Sequence, residues 1–120
     1  MNKAFFILLS LVFLFASAGQ NEIVLSNDQH QHNHFDYPIP ADQPDVYLDT
    51  DNLAIIIDGG GEVAYYDVEI ESMTTWLTVI STQVSGTYDT IDVSSLTAGD
   101  YIITITSPTG NEFEGEFEIE

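Results

Sequence analysis

The chain has 120 residues, with twenty Asp and Glu against a single basic residue, Lys3, and no Cys. Without Cys, neither a disulfide framework nor a lipid-modified cysteine can form. With so few basic side chains the chain cannot neutralise phosphate groups, which excludes nucleic acid and anionic lipid surfaces as partners.

Residues 1–18 have the pattern of a secretory signal peptide. Lys3 supplies the positive start, an apolar stretch runs from Ala4 to Phe15, and the small residues from Ala16 to Ala18 fit a cleavage site. The apolar stretch is shorter than the ~20 residues that span a bilayer, so we expect no retained membrane span. The sequence thus predicts export to the periplasm, the extracellular space or the cell surface. The mature chain would keep twenty carboxylates and no Lys or Arg, a formal side-chain charge of −20.

Residues 19–44 are predicted to form an N-terminal strand followed by a linker rich in His and Pro. The strand is a short apolar run that begins at Glu22, and the prolines at 38, 40 and 44 favour an extended connector. We place the sandwich domain at residues 45–120. Alternatively, the first strand folds back as an edge strand, and the histidine segment is then a long loop.

From Asp45 onward, apolar residues recur two apart, the period that places side chains on one face of a strand. About seven such segments follow at roughly ten-residue spacing, separated by turns rich in Gly, Asp and Asn, which is typical of an all-β antiparallel sandwich. The last segment is the most regular, because Phe113, Phe117 and Ile119 alternate with glutamates. In the segment from Trp76 to Ser81, either Leu77 and Val79 or Trp76 and Ile80 could face inward.

The stretch from Leu96 to Ile105 reads Leu-Thr-Ala-Gly-Asp-Tyr-Ile-Ile-Thr-Ile. It resembles the L-x-x-G-x-Y turn and strand of bacterial Ig-like and fibronectin type III-like sandwiches, in which the Tyr hydroxyl secures the preceding connection as a tyrosine corner. With the early strand at Glu22, the layout resembles a family of small secreted gut-bacterial proteins of unknown function. The resemblance implies an Ig-like fold over residues 45–120.

The same motif is also similar to the C-terminal sorting domains of an outer-membrane secretion system. Those domains follow a large passenger and tend to end in a basic, apolar strand. We expect no passenger ahead of the sandwich domain here, and its last strand ends in Ile119-Glu120, which is acidic instead of basic.

Three alternating histidines, His30, His32 and His34, are the first candidate metal ligands. In an extended chain they would share one side at ~6.6 Å intervals, and imidazole with carboxylate suits zinc, copper or nickel. Ligands at that spacing reach a single ion only if the chain curls. A solvated polar loop is therefore the alternative reading.

The acidic turn from Asp49 to Asn52 is the second candidate, because Asp49 and Asp51 place carboxylates where calcium could bind. Oxygens of Asp45, Asp58 or Glu62 could be added from nearby turns. The turn lacks the Gly and terminal Glu of an EF-hand, and Asp and Asn are also ordinary turn formers.

Aromatic residues offer a third kind of site. Tyr65, Tyr66, Trp76 and Tyr88 could form a platform for sugar or peptide, although burial of Tyr66 and Trp76 in the core is the commoner outcome. No catalytic triad can be assembled, since Cys is absent and all three His lie together.

The sequence therefore predicts a non-enzymatic binding or structural module without an obligatory cofactor. Its partner would be another protein or a surface glycan. A divalent-metal-binding protein centred on the histidine segment and the acidic loops is the alternative.

Overall fold

The computed structural model describes residues 19–27 and 39–120, and in these ranges the regular structure is entirely β-strand. The strands are β1 (Gln20–Glu22), β2 (Ser26–Asn27), β3 (Asp45–Asp49), β4 (Ala54–Asp58), β5 (Tyr65–Ser72), β6 (Thr78–Ser85), β7 (Tyr88–Asp92), β8 (Gly99–Thr106) and β9 (Glu112–Ile119). None of the described segments is a helix long and apolar enough to cross a membrane.

The strands form two antiparallel sheets that face each other. One sheet has the order β1-β3-β4-β7 and the other β2-β9-β8-β5-β6. The predicted sandwich is therefore confirmed, and the seven strands expected after Asp45 are β3 to β9. The segment before the linker adds two short strands, which brings the described total to nine.

The core lies between the sheets because alternate side chains of each long strand point inward. The β9 strand shows this most regularly: Phe113, Phe117 and Ile119 are buried, whereas the intervening glutamates are exposed. Burying two Phe and one Ile contributes roughly 1.5–3 kcal/mol for each side chain. The Coulomb repulsion between glutamates ~7 Å apart along the strand is only ~0.6 kcal/mol per pair in water.

The predicted tyrosine corner is present. Tyr101 lies near the start of β8, and its hydroxyl donates a 2.6 Å hydrogen bond to the carbonyl oxygen of Thr97 in the preceding connection. The Tyr101 ring also stacks on Phe117 of β9, with 5.5 Å between ring centroids. This bond and this contact fix the connection between β7 and β8 against the core.

The N-terminal segment folds back onto the sandwich, as in the second of the two sequence-based alternatives. The β1 strand pairs with β3 in one sheet, and β2 pairs with β9 in the other. Ile23, between them, is buried in the core. The segment can cross there because Gly115 has no side chain: a Cβ at that position would lie 2.7 Å from Ile23 Cγ2 and 3.0 Å from the Val24 carbonyl oxygen.

The end of the linker is secured by a buried carboxylate, Asp42. It accepts hydrogen bonds from the hydroxyls of Ser107 and Thr109, at 2.6 Å each, and from the Asn111 amide at 3.0 Å. Its backbone carbonyl accepts a 2.7 Å bond from the hydroxyl of Tyr66, which is fully buried. Asp42 therefore ties the approach to β3 to the β8–β9 turn and to the core.

The glycine-rich stretch at 59–61 is a crossover between the two sheets and not a hairpin turn. It connects β4 to β5, which lie in different sheets, and it contacts the β6–β7 turn. The backbone amides of Gly59 and Gly61 donate to the carbonyl oxygens of Thr87 and Gly86. A Cβ at Gly59 would meet both the Gly86 carbonyl oxygen and the Tyr66 ring, so only glycine fits this approach.

Candidate functional site

The predicted metal ligands are not brought together in the part of the chain that the structure describes. His30, His32 and His34 lie outside the described residues. Among residues 19–27 and 39–120, no group of three or more His, Cys, Asp or Glu could hold a metal ion. The histidine site therefore stays a prediction from the sequence.

Asp49 and Asp51 form a hydrogen-bonded turn. The Asp49 carboxylate accepts bonds from the backbone amides of Asp51 and Asn52, at 3.0 and 3.1 Å, and from the Asn52 side-chain amide at 2.9 Å. These bonds, led by that of the Asn52 side chain, lower the pKa of Asp49 below its ordinary value. The carboxylate closes the β3–β4 turn, and calcium would have to compete with three donors already in place.

The aromatic residues do not share a platform. Tyr66 is buried as expected, and burial, followed by the nearby charges of Asp42 and Glu62, raises the pKa of its phenol. The expected burial of Trp76 is wrong, because the side chain is exposed between β5 and β6. Tyr65 and Tyr88 lie at the opposite end of β5, where β6 leads into β7.

A tightly bonded turn presents Trp76 to solvent. The hydroxyl of Ser72 accepts bonds from the backbone amides of Thr74 and Thr75, and the Trp76 amide donates a 2.8 Å bond to the Ser72 carbonyl. Trp76 itself has a φ of +60°, in the left-handed region that costs a non-glycine residue roughly 1–2 kcal/mol. The turn thus holds the Trp76 side chain in solvent, with a backbone conformation that is unfavourable for a residue with a side chain.

Trp76 begins an exposed apolar patch that continues into β6. The solvent-exposed fractions are 60% for Trp76, 66% for Leu77 and 42% for Val79. Val79 is the extra residue of a β-bulge, since Ile70 pairs with Ile80 and Glu71 pairs with Thr78. From Ile80 to Ser85 the pairing with β5 is regular.

The β6 strand is also an edge. It pairs with β5 on one side and is the last strand of its sheet, so no described strand pairs with its other side. At the end of that side, the Ser85 amide donates a 2.9 Å hydrogen bond to the Asp89 carboxylate of β7. Of the four sheet edges in the described structure, β1 and β2 have three and two residues, and β7 has five, two of which are Asp89 and Asp92. The β6 edge has eight residues and no charge.

Natural sheet edges are commonly protected by charged side chains. This chain has twenty carboxylates, yet none falls between Ser72 and Tyr88, which is the longest stretch without Asp or Glu after residue 18. That gap in the charge pattern is visible in the sequence and could have marked the edge. Alternation of apolar residues alone did not reveal it.

An open groove lies beside this edge, where the sandwich is not closed. It has a volume of about 480 Å³ and is lined on one side by inward-facing residues of β6, including Ile80 and Val84, and on the other by β7, including Ile91 and Asp89. The opposite flank of the sandwich is covered by residues 19–27, whose two strands pair with β3 and β9. Together, the β6 edge, the patch from Trp76 to Val79 and this groove form the candidate binding surface.

The outer face of the larger sheet carries carboxylates in columns. The β9 column is Glu112, Glu114, Glu116 and Glu118, and the β5 column is Asp67, Glu69 and Glu71. Between them β8 places Ile102, Thr104 and Thr106, so that Glu114, Thr104, Glu69 and Ser81 form one row across the sheet. Uncharged columns therefore separate the acidic ones. On this face of the described sheet, Asp100 and Glu118 are the one pair of carboxylates directly opposite each other.

The two-sheet architecture and the tyrosine corner define an immunoglobulin-like β-sandwich. The chain is similar to a solved structure that has this fold. The crystal structure of a DUF3244 family protein with an immunoglobulin-like β-sandwich fold, from Bacteroides vulgatus, superposes with a TM-score of 0.66 and 16% sequence identity. The similarity covers 84% of this chain and 99% of that one.

No protein-family profile and no curated protein sequence matches the chain. At 16% identity, the structural similarity establishes the fold. It agrees with the sequence-based resemblance to small Ig-like proteins of gut bacteria whose function is unknown.

Proposed function

We propose that this protein is an exported, non-enzymatic binding module that accepts an extended segment of a partner protein along β6. The proposal rests chiefly on one observation: in a chain with twenty carboxylates, the longest sheet edge is uncharged and exposed. Export rests on the signal-peptide pattern of residues 1–18.

Strand addition uses the two kinds of group that β6 offers. Backbone amides and carbonyls along the free side supply affinity through main-chain hydrogen bonds, while alternate side chains of the added strand select the sequence. Trp76 stands at the beginning of the edge, and exposed aromatic residues are the commonest anchors of protein interfaces.

The described residues also support a non-enzymatic role. They contain no His, Cys, Lys or Arg, so they offer neither an activated nucleophile with its base nor a cation for an oxyanion. The carboxylates of the outer face are largely exposed to solvent.

A proline scan of β6 tests strand addition. Neighbouring residues of an edge strand direct their backbone amides to opposite sides, so of Ser81→Pro and Thr82→Pro one removes an outward donor and the other a bond to β5. The probe is a nine-residue peptide of alternating Val and Gln. We expect it to protect β6 amides from hydrogen exchange in the wild-type protein, and the variant that keeps the wild-type melting temperature to lose this protection.

Trp76→Gly should weaken the same protection at least several-fold, whereas Tyr88→Ser, which removes an exposed aromatic at the start of β7, should leave it unchanged. Protection that survives both proline substitutions would contradict strand addition. The other partner class that the sequence predicts is a surface glycan, which would stack on Trp76. Binding of such a glycan would be weakened by Trp76→Gly and unchanged by proline at 81 or 82.

A further inference from the structure

We infer that the strand accepted by β6 carries Lys or Arg on one face and apolar side chains on the other. This inference rests on the proposed function and specifies its partner. Three features support it: the acidic column on β5, the uncharged outward side chains of β6 next to that column, and the side chains of Ile80, Val84 and Ile91 in the lining of the groove on the inner side.

The first argument is the spacing of the outer face. Neighbouring strands lie ~4.8 Å apart, so a strand added to β6 would lie roughly 9.6 Å from β5. The β5 column presents Asp67 and Glu69, and the β6 residues directly opposite them are Gln83 and Ser81. Neither Gln83 nor Ser81 brings a positive charge to the acidic column.

The second argument is reach. Gln83 already shows that a side chain one strand away can contact the column, because its amide donates a 3.2 Å hydrogen bond to the Asp67 carboxylate. A Lys or Arg side chain spans roughly 6 Å and is flexible. From the next strand it would pass over the short Ser81 side chain and bring its charge close to Glu69.

The third argument is the inner face of the added strand. Its alternate side chains would point into the groove between β6 and β7, against Ile80, Val84 and Ile91. Apolar side chains fit that floor because each would remove apolar surface from water. Asp89 and Asp92, on the β7 side of the groove, add negative charge at its rim.

Charge also argues against a second copy of this chain as the occupant. After residue 18 the chain contains no Lys or Arg, so a copy could bring no such positive charge to the columns of its partner. A cationic strand meets attraction over the whole molecule, which raises the rate of association at low ionic strength. The surface is therefore complementary to a basic, amphipathic strand.

The experiment compares three nine-residue peptides that keep Val at alternate positions and carry Lys, Gln or Glu at the others. We expect the Lys peptide to bind with a dissociation constant at least tenfold lower than the Glu peptide at low ionic strength, with the Gln peptide between them. The preference should shrink toward physiological salt, where the Debye length is ~8 Å. In each case hydrogen exchange should show protection at β6.

Matched double variants separate local pairing from net charge. Asp67→Asn with Glu69→Gln removes two charges next to β6, and Glu114→Gln with Glu116→Gln removes two from the distant β9 column. We expect the first pair to reduce the preference for Lys several-fold and the second to change it little. Equal effects of the two pairs would overturn the inference in favour of general attraction by net charge.

The outcomes also distinguish this inference from the proposed function. If the three peptides protect β6 equally, strand addition stands and the basic partner is wrong. If none protects β6, the proposed function itself is wrong. A concentration-dependent dimer in sedimentation, lost in the informative proline variant, would identify a second copy as the occupant and overturn the inference.

Discussion

The environment of the Asp42 carboxylate has two opposite effects on its pKa. Burial works to raise its pKa, but the side-chain hydrogen bonds from Ser107, Thr109 and Asn111 act in the other direction and outweigh it. The net result is a pKa below the ordinary value of 3.8. Asp42 is therefore held ionised in the folded chain by neutral donors, without any cation.

The lowered pKa of Asp42 predicts a specific dependence on pH. A carboxyl group whose pKa is lower in the folded than in the unfolded state stabilises the fold at pH values above its pKa in the unfolded state. This stabilisation is lost as the pH falls through its pKa in the folded state. Asp42→Asn should thus lose stability relative to wild type at pH 6, and the difference should narrow below pH 4. Urea unfolding at both pH values measures it.

Glu69→Gln, on the exposed outer face, is the control for both Asp42 variants, since it also removes one carboxylate.

Asp42→Ala also removes the hydrogen-bonding side chain. At pH 6 we expect it to lower the free energy of unfolding by about 2–4 kcal/mol, because hydrogen bonds to a charged group contribute roughly 1.5–3 kcal/mol each and are not additive. A cost for Asp42→Ala no greater than that of the control would refute the structural role of this residue.

Replacement of Trp76, by contrast, should change the free energy of unfolding little in the same measurement. Trp76→Gly removes an exposed side chain and relieves a positive φ, while it adds backbone freedom to the unfolded chain. We expect these effects to cancel to within about 1 kcal/mol in the free energy of unfolding. Tyr66→Ala, which empties a fully buried site, should cost roughly 3–5 kcal/mol. A comparable loss in Trp76→Gly would show that the tryptophan supports the fold.

Residue-level placement was only partly predictable from the sequence. Tyr66 falls in a regular alternation with Val68 and Ile70, and its burial follows from that period. Trp76 does not, because the bulge at Val79 breaks the alternation and the turn at Ser72 shifts Trp76 out of the strand. A bulge depends on the partner strand, which the local pattern does not contain.

Among the strands, β9 depends on Gly115 to leave room for the N-terminal segment. In β9 it occupies an inward position where alternation calls for a large apolar side chain, and the N-terminal segment fills the space instead. Gly115→Val should therefore displace Ile23 and Val24 and cost about 1–3 kcal/mol, as other overpacked sites do.

Hydrogen exchange of the amides in residues 20–27 would report the displacement caused by Gly115→Val. Glu116→Val adds the same side chain to the outward face of the same strand and should leave those amides protected. If Gly115→Val left the exchange of residues 20–27 unchanged, the packing of the N-terminal segment against β9 would be refuted.

The strands themselves differ in how far the sequence could predict them. The strands from β3 to β9 have an apolar face of their own, and their number was correctly expected. The β1 and β2 strands have three and two residues, too short to show a period, so the sequence placed the sandwich domain after the linker and gave folding back only as the alternative. Pairing with β3 and β9 decides between them, and such long-range pairing is not encoded in the segment alone.

For the whole molecule, the charge distribution predicts a response to salt. The described chain has carboxylates on two columns of the outer face and no Lys or Arg to balance them. Screening weakens their repulsion, so the melting temperature should rise as NaCl increases from about 10 mM to about 150 mM, over which the Debye length falls from ~30 to ~8 Å. Scanning calorimetry measures it.

Sucrose at matched osmolality is the control for the salt experiment, because it does not screen charge. Glu118→Gln, which removes the directly opposed pair with Asp100, should raise the melting temperature at low salt and have less effect at high salt. A melting temperature that is insensitive to NaCl would show that the columns are too far apart to repel.

The absence of balancing cations has a consequence that joins folding to recognition. Because the described residues include no Lys, Arg or His, any ionic contact that they make with another macromolecule must draw its positive charge from the other side, whereas ionic interactions among their own side chains are repulsions. Raising the ionic strength should therefore strengthen the fold and loosen the complex at the same time. Under the proposed function, surroundings that shift between dilute and saline would thus adjust capture and release without altering the protein.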